Sequence, residues 1–160
     1  MVFLVKKFKN SNFYKIFFVL TIFLFFKLVY AKQNLFLHGG YTFETFPGQK
    51  STSVYMVIYN NSKEDVVIDS ISTDVSKIGE FHTHTLEKNI NRMKKLDNIT
   101  IKGNDKLYLQ PGKIHIMLMG LNRDLKDYDE FDLILKSKEN RKYKTVIKVL
   151  NKRLDKMNQM

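Results

Sequence analysis

The sequence of 160 residues contains no cysteine. The chain therefore forms no disulfide bond, and it cannot hold a metal ion through a thiolate ligand. A lipid anchor attached to cysteine is excluded for the same reason. An exported domain of this size can fold without disulfide bonds, so the missing cysteines do not argue against export.

The residue patterns of common enzymes are also missing. No Ser-His-Asp set, carboxylate pair or glycine-rich phosphate loop stands out. One group of acidic residues is typical of a solvated turn that enters a strand: Asp127, Asp129, Glu130 and Asp132. We therefore predict that the protein is not an enzyme.

The apolar run at residues 16–26 is shorter than the roughly 20 residues that a membrane-spanning helix needs. It follows four lysines, and it precedes Val29 and Ala31 at the positions that a cleavage site requires. This order predicts a secretory signal peptide at residues 1–31 and export to the periplasm. The alternative is an uncleaved N-terminal membrane anchor facing the periplasm, because Lys27 is unusually close to the cleavage site.

Nearly half of the net charge of +11 belongs to this targeting segment. Five lysines and no acidic residue lie in residues 1–31, so the net charge of the remainder is +6. The remaining lysines are spread along the chain, as on a solvated surface, and an exported protein meets little nucleic acid. We predict no nucleic-acid partner, although the positive charge can attract an acidic protein.

The rest of the chain has the pattern of an all-β domain. Short segments rich in β-branched and aromatic residues alternate with turn signals such as Pro111-Gly112. The predicted strands are 52–60, 65–71, 78–86, 90–96, 106–110, 113–119, 130–136 and 142–150. No helical pattern alternates with them. We predict a Greek-key β-sandwich at residues 32–150, followed by a charged, flexible tail at 151–160.

Two histidines and two methionines form the spaced pattern His-x10-Met-x21-His-x-Met, at His82, Met93, His115 and Met117. Side chains alternate between the faces of a strand, so His115 and Met117 share one face. Two hairpins could bring all four residues to one edge of the sandwich. A lone His or Met is usually a packing residue, but imidazole and thioether together suit a soft ion, for which Cu(I) is the main candidate.

Two neighbours are candidate auxiliary ligands. His84 shares a face with His82 and could also serve Cu(II), whereas Met119 shares the face of Met117 and could form an apolar rim. Zinc is less well matched, because it normally recruits Cys, Asp or Glu beside His. We expect His38, which is far away in the sequence, to be a surface residue.

Four segments together resemble the periplasmic copper chaperones of the PCuAC family, which carry the same His and Met spacing. They are residues 55–60 (YMVIYN), Glu80-Phe81-His82, Asn91-Arg92-Met93 and residues 109–121 (LQPGKIHIMLMGL). The resemblance covers about residues 50–150. It implies a cupredoxin-like fold that binds Cu(I), with His82, Met93, His115 and Met117 as the ligands.

The resemblance also implies a function, which is delivery of Cu(I) toward the copper centre of cytochrome c oxidase. The expected partner is a copper acceptor, either an oxidase subunit or another copper chaperone, and we expect a monomer. An exported copper store or scavenger with the same site is one alternative. A structural or adhesive β-sandwich, whose His and Met residues serve only packing, is the other.

Overall fold

The computed structural model describes residues 34–87 and 90–151. The predicted signal peptide, and all but the first residue of the predicted tail, lie outside these residues, so the domain boundaries remain predictions. Within the described part, no helix has the length and apolar character needed to cross a membrane.

The described residues form ten β-strands, and this confirms the all-β prediction. They are β1 Leu35–Phe43, β2 Ser51–Asn60, β3 Val66–Thr73, β4 Ser76–Glu87, β5 Ile90–Leu96, β6 Ile99–Ile101, β7 Lys106–Leu109, β8 His115–Leu121, β9 Glu130–Ser137 and β10 Lys142–Leu150. All eight predicted strands are present, with ends within two residues of the predicted positions.

Two of the strands, β1 and β6, are missing from the prediction. The pair Gly39-Gly40 inside β1 suggests a turn, but in the structure it forms an irregularity within the strand. Gly39 has a φ of 61°, and the register between β1 and β2 shifts between His38 and Tyr41. Three residues are too few for β6 to show an alternating pattern. Pairing with neighbouring strands, rather than local sequence, therefore defines both elements.

The strands hydrogen bond in the order β5-β4-β8-β2-β1-β10-β9-β3-β6, and β7 also pairs with β2. A further contact between β3 and β4 pairs Ile71 with Gly79, where an added Cβ on Gly79 would lie 2.7 Å from Cγ2 of Ile71. The strands of the predicted site are neighbours in this order. β4 and β5 do form a hairpin, whereas β8 does not pair with β7 but lies between β4 and β2.

The core forms because apolar residues alternate along the strands. In β2, Val54, Met56 and Ile58 are buried, and the residues between them are half-buried on the opposite face. Ile116 and Leu118 of β8 are also fully buried. Each such side chain contributes roughly 1.5–3 kcal/mol by leaving water. The same alternation places the remaining side chains of β4, β8 and β2 on the outward face of these three adjacent strands. Together they form one continuous surface.

β2 ends at a buried polar residue, Asn60. Its Nδ2 donates to the carbonyl oxygens of Glu64 (2.7 Å) and Ile101 (3.1 Å). Its Oδ1 accepts from the backbone N–H (3.0 Å) and the hydroxyl (2.7 Å) of Ser62. Asn60 therefore holds the turn after β2 against β6 and satisfies backbone groups that the sheet leaves unpaired.

Candidate metal centre

Three histidines meet on the outward surface of β4 and β8. His82 in β4 is the direct cross-strand partner of His115 in β8, and their ring centroids are 6.2 Å apart. His84, two residues further along the same face of β4, has its ring centroid 5.4 Å from that of His115. The register of β4 against β8 therefore gathers residues that are more than 30 positions apart in the sequence.

Methionines flank this histidine group on both sides. Met93 in β5 is the cross-strand partner of His84. Met117 lies on the same face of β8 as His115, and its Sδ accepts a hydrogen bond from the hydroxyl of Ser53 at 3.7 Å. The structure thus brings His and Met residues of the predicted site to one face of three adjacent strands. Their role as ligands remains a prediction.

The side chains of this face differ widely in exposure. His115 is 2% exposed in the centre of the sheet, whereas Met93 is 53% exposed. Met117 and Met119 are half-buried. Met93 is exposed because β5 stands at the end of the strand path and pairs only with β4 among the described strands. The site is therefore open to solvent from the β5 side.

The hydrogen bond of His115 defines its tautomer. Nδ1 lies 2.9 Å from the carbonyl oxygen of Lys113, which can only accept, so Nδ1 carries the hydrogen. Burial lowers the pKa of His115, and electrostatic interaction with the nearby His84 and His82 adds to this effect, whereas the hydrogen bond to Lys113 opposes it. The ring is therefore neutral near pH 7, with a free lone pair on Nε2, as a metal-binding imidazole requires.

In His82, by contrast, the hydrogen-bonded ring nitrogen is Nε2. This nitrogen lies 3.0 Å from Oε2 of Glu80, and Oε1 of Glu80 accepts from the ammonium of Lys95 at 2.6 Å. The hydrogen bonds from Lys95 and then from His82 lower the pKa of Glu80, which is ionised and can only accept. Nδ1 of His82 is buried and has no hydrogen-bond partner among residues 34–87 and 90–151.

A cluster of three aromatic side chains borders the site on the side away from β5. The ring centroid of Tyr55 is 6.3 Å from that of His115, and Tyr55 packs against Tyr41 (5.3 Å) and Phe43 (6.5 Å). His115 therefore has an aromatic neighbour on the side of β2. His38, by contrast, is exposed on β1 and stacks on Phe36, as expected of a surface residue.

Three residues of this neighbourhood have no functional role in the sequence-based prediction: Glu80, Lys95 and Ser53. Glu80 could have been found, because strand alternation puts it on the face of His82. Lys95 and Ser53 depend on cross-strand register, which the sequence does not reveal. In residues 34–87 and 90–151, no group of three or more His, Asp or Glu side chains could by itself hold a metal ion.

Comparison with known proteins assigns the chain to a family. The family model described as "Putative lipoprotein LpqE-like" matches residues 30–149, three quarters of the chain. The chain belongs to the LpqE-like family. This family is of the PCuAC type, so the resemblance seen in the sequence is confirmed. The family description mentions a lipoprotein, whereas this LpqE-like sequence contains no cysteine.

Two solved structures share the fold of this LpqE-like protein. The copper-bound PCuAC domain from PmoF2 has a TM-score of 0.64 at 13% identity, and the match covers 76% of this chain and 97% of that domain. CuI-DR1885 from Deinococcus radiodurans has a TM-score of 0.58 at 27% identity, and the match covers 70% of this chain and 75% of that one. The predicted cupredoxin-like β-sandwich is thereby confirmed.

A relative of the LpqE-like protein is the uncharacterized protein RP573 of Rickettsia prowazekii (strain Madrid E). The two are 31% identical over 104 residues, which are 63% of this chain and 56% of RP573. The matched region therefore spans just over half the length of this curated relative.

Proposed function

We propose that this protein is an exported Cu(I) metallochaperone that binds the ion through His82, Met93, His115 and Met117. One observation carries the proposal. Two imidazoles, each with one ring nitrogen engaged by a hydrogen-bond acceptor, share a sheet face with two thioethers, and Nδ1 of His82 is buried without a partner among the described residues. A metal-binding histidine typically has this arrangement, in which an acceptor holds the nitrogen remote from the metal.

The chemistry of the donor set favours Cu(I). Neutral imidazole and thioether are soft or borderline ligands that add no negative charge, and they suit a monovalent, thiophilic ion. The nearest carboxylate, Glu80, has both oxygens engaged by His82 and Lys95. DR1885, which is 27% identical to this chain, was solved with Cu(I), and this supports the same choice here.

The exposure of Met93 supports transfer of the ion. A partner can approach this thioether from the edge of the sheet, while His115 holds the ion from a buried position. We propose that the acceptor is a protein with its own soft copper ligands, and that the copper travels toward the copper centre of cytochrome c oxidase. His84 and Met119, on the same face, are proposed auxiliary ligands, and His84 is the one suited to Cu(II).

The first test is an anaerobic titration of the purified protein with Cu(I) in competition with a coloured chelator. The test variant is the double substitution Met93→Leu/Met117→Leu, which removes both thioethers and nearly preserves side-chain volume. Met56→Leu is the matched control, because Met56 is buried in the core on the opposite face of β2. We expect the wild type and the control to take up one equivalent, and the double variant to lose the competition.

If the wild type does not compete for Cu(I), the proposed function is wrong, and a structural or adhesive β-sandwich becomes the better interpretation. Binding that survives in the double variant would instead place the ion elsewhere. Delivery and storage are separated by a second measurement, in which the loaded protein is mixed with an apo acceptor domain of the oxidase. Transfer within seconds supports a chaperone, whereas retention supports a store.

A further inference from the structure

We propose that Glu80 is a positioning residue that makes Nδ1 of His82, rather than Nε2, the nitrogen that binds the ion. This inference rests on the proposed Cu(I) site and concerns how the chain prepares that site before the ion arrives. It assigns a role to a carboxylate that the ligand pattern does not include, and it names one donor atom on His82.

The hydrogen bond between Glu80 and His82 selects one tautomer of the ring. Both residues lie on the outward face of β4, with Oε2 of Glu80 3.0 Å from Nε2 of His82. An ionised carboxylate can only accept, so the ring hydrogen must reside on Nε2. In the neutral ring, Nδ1 then keeps its lone pair.

A second observation, independent of the hydrogen bond to Glu80, concerns the surroundings of Nδ1 of His82. This atom is buried and has no hydrogen-bond partner in the described part of the chain. A buried polar atom without a partner costs roughly 1–3 kcal/mol, so such atoms are rare in folded proteins and call for an explanation. A ligand atom whose partner is a metal ion provides one.

Glu80 is itself a poor candidate for a ligand, because both its oxygens are engaged. Lys95 holds Oε1 at 2.6 Å, and the Glu80 side chain is only 20% exposed. Lys95 lies directly across from His82 in β5, two residues after Met93. The hydrogen bonds from Lys95 to Glu80 and between Glu80 and His82 therefore join β5 to β4 and fix the orientation of the His82 ring.

The two proposed histidine ligands thus use different nitrogens. For His115, the carbonyl of Lys113 engages Nδ1 and leaves Nε2 free, whereas for His82 the carboxylate engages Nε2 and leaves Nδ1 free. This difference makes His115 an internal reference for any measurement on His82.

The test is ring-nitrogen NMR on the protein with uniform ¹⁵N labelling, in the apo and Cu(I)-loaded states at pH 8. Long-range ¹H–¹⁵N spectra distinguish a protonated ring nitrogen from a free one. We expect apo His82 to be the Nε2–H tautomer and apo His115 to be the Nδ1–H tautomer. On loading, the large shift should fall on Nδ1 of His82 and on Nε2 of His115.

The test variant is Glu80→Gln, which keeps the shape but can also donate to the ring. We expect His82 to lose its preference for the Nε2–H tautomer and the Cu(I) affinity to fall about 10- to 100-fold, as is typical when such a supporting group is removed. Asp132→Asn is the matched control, because Asp132 pairs with Lys144 at 2.7 Å on β9 and β10, outside the site. It should change neither the tautomer nor the affinity.

Three results would overturn the inference: an Nδ1–H tautomer of His82 in the wild type, a Cu(I)-induced shift on its Nε2, or unchanged binding in Glu80→Gln. Should Glu80→Gln not fold, the two wild-type spectra decide the question alone. The proposed function fails separately. A wild type that binds no Cu(I) refutes the metallochaperone, whereas one that binds through Nε2 of His82 refutes only the role of Glu80.

Discussion

Replacement of Asn60 by alanine is expected to remove a large part of the stability of this protein. It should not alter the face of β4, β5 and β8 that carries the proposed Cu(I) site. The side chain is fully buried, and it makes four hydrogen bonds between 2.7 and 3.1 Å. At about 1 kcal/mol of net contribution for each bond, the loss is about 3–4 kcal/mol. A typical domain is stable by only about 5–15 kcal/mol, so a loss of this size is readily measured.

The assay is equilibrium unfolding in urea, followed by circular dichroism, with Asn60→Asp as a second variant. A carboxylate of the same shape keeps both bonds from Ser62 but cannot donate to the carbonyls of Glu64 and Ile101. It should therefore be no more stable than the alanine variant near pH 7. Cu(I) affinity of the folded variants should match the wild type, because Asn60 lies at the end of β2, beyond the segment that pairs with β8.

A loss below about 1 kcal/mol in Asn60→Ala would refute this reasoning. It would mean that water replaces the side chain at the carbonyl groups and that the site is less enclosed than its burial indicates. A wild-type stability for Asn60→Asp would refute the assignment of donors and acceptors.

Two further predictions follow from strand alternation and from one ion pair. Ile116→Ala truncates a fully buried side chain and should lower the free energy of unfolding by about 2–5 kcal/mol. Met117→Leu, at the next position, should change this free energy by less than about 1.5 kcal/mol. Both changes are measured by urea unfolding. The amide of Lys126, and then the guanidinium of Arg123, lower the pKa of Asp129. The ionised form is therefore favoured by folding, and its contribution is present above the unfolded-state pKa and lost as pH falls through the folded-state pKa. Asp129→Asn should be less stable than the wild type at pH 7, with a difference that shrinks in acid unfolding titrations; a difference independent of pH would contradict this.

The success of the strand prediction has a local cause. In β2 and β9, every second residue is buried. The hydrophobic pattern of each segment therefore indicates both that it is a strand and which of its faces is buried. β1 was missed because Gly39-Gly40 has the composition of a turn, although the residues before and after this irregularity pair with β2 and so form one strand. The neighbours of β8 were likewise not evident from the sequence, because β2 pairs with β7 and with β8 in succession.

The sequence by itself determined which residues can serve a soft ion and which of them share a face, because side-chain chemistry and the period of two are local properties. The tertiary structure alone decided that His82 lies opposite His115, that His84 lies opposite Met93, and that Glu80 reaches Lys95. These contacts depend on strand order and register. They arise from packing of the whole core, and a change of register by one residue would turn the histidines away from each other.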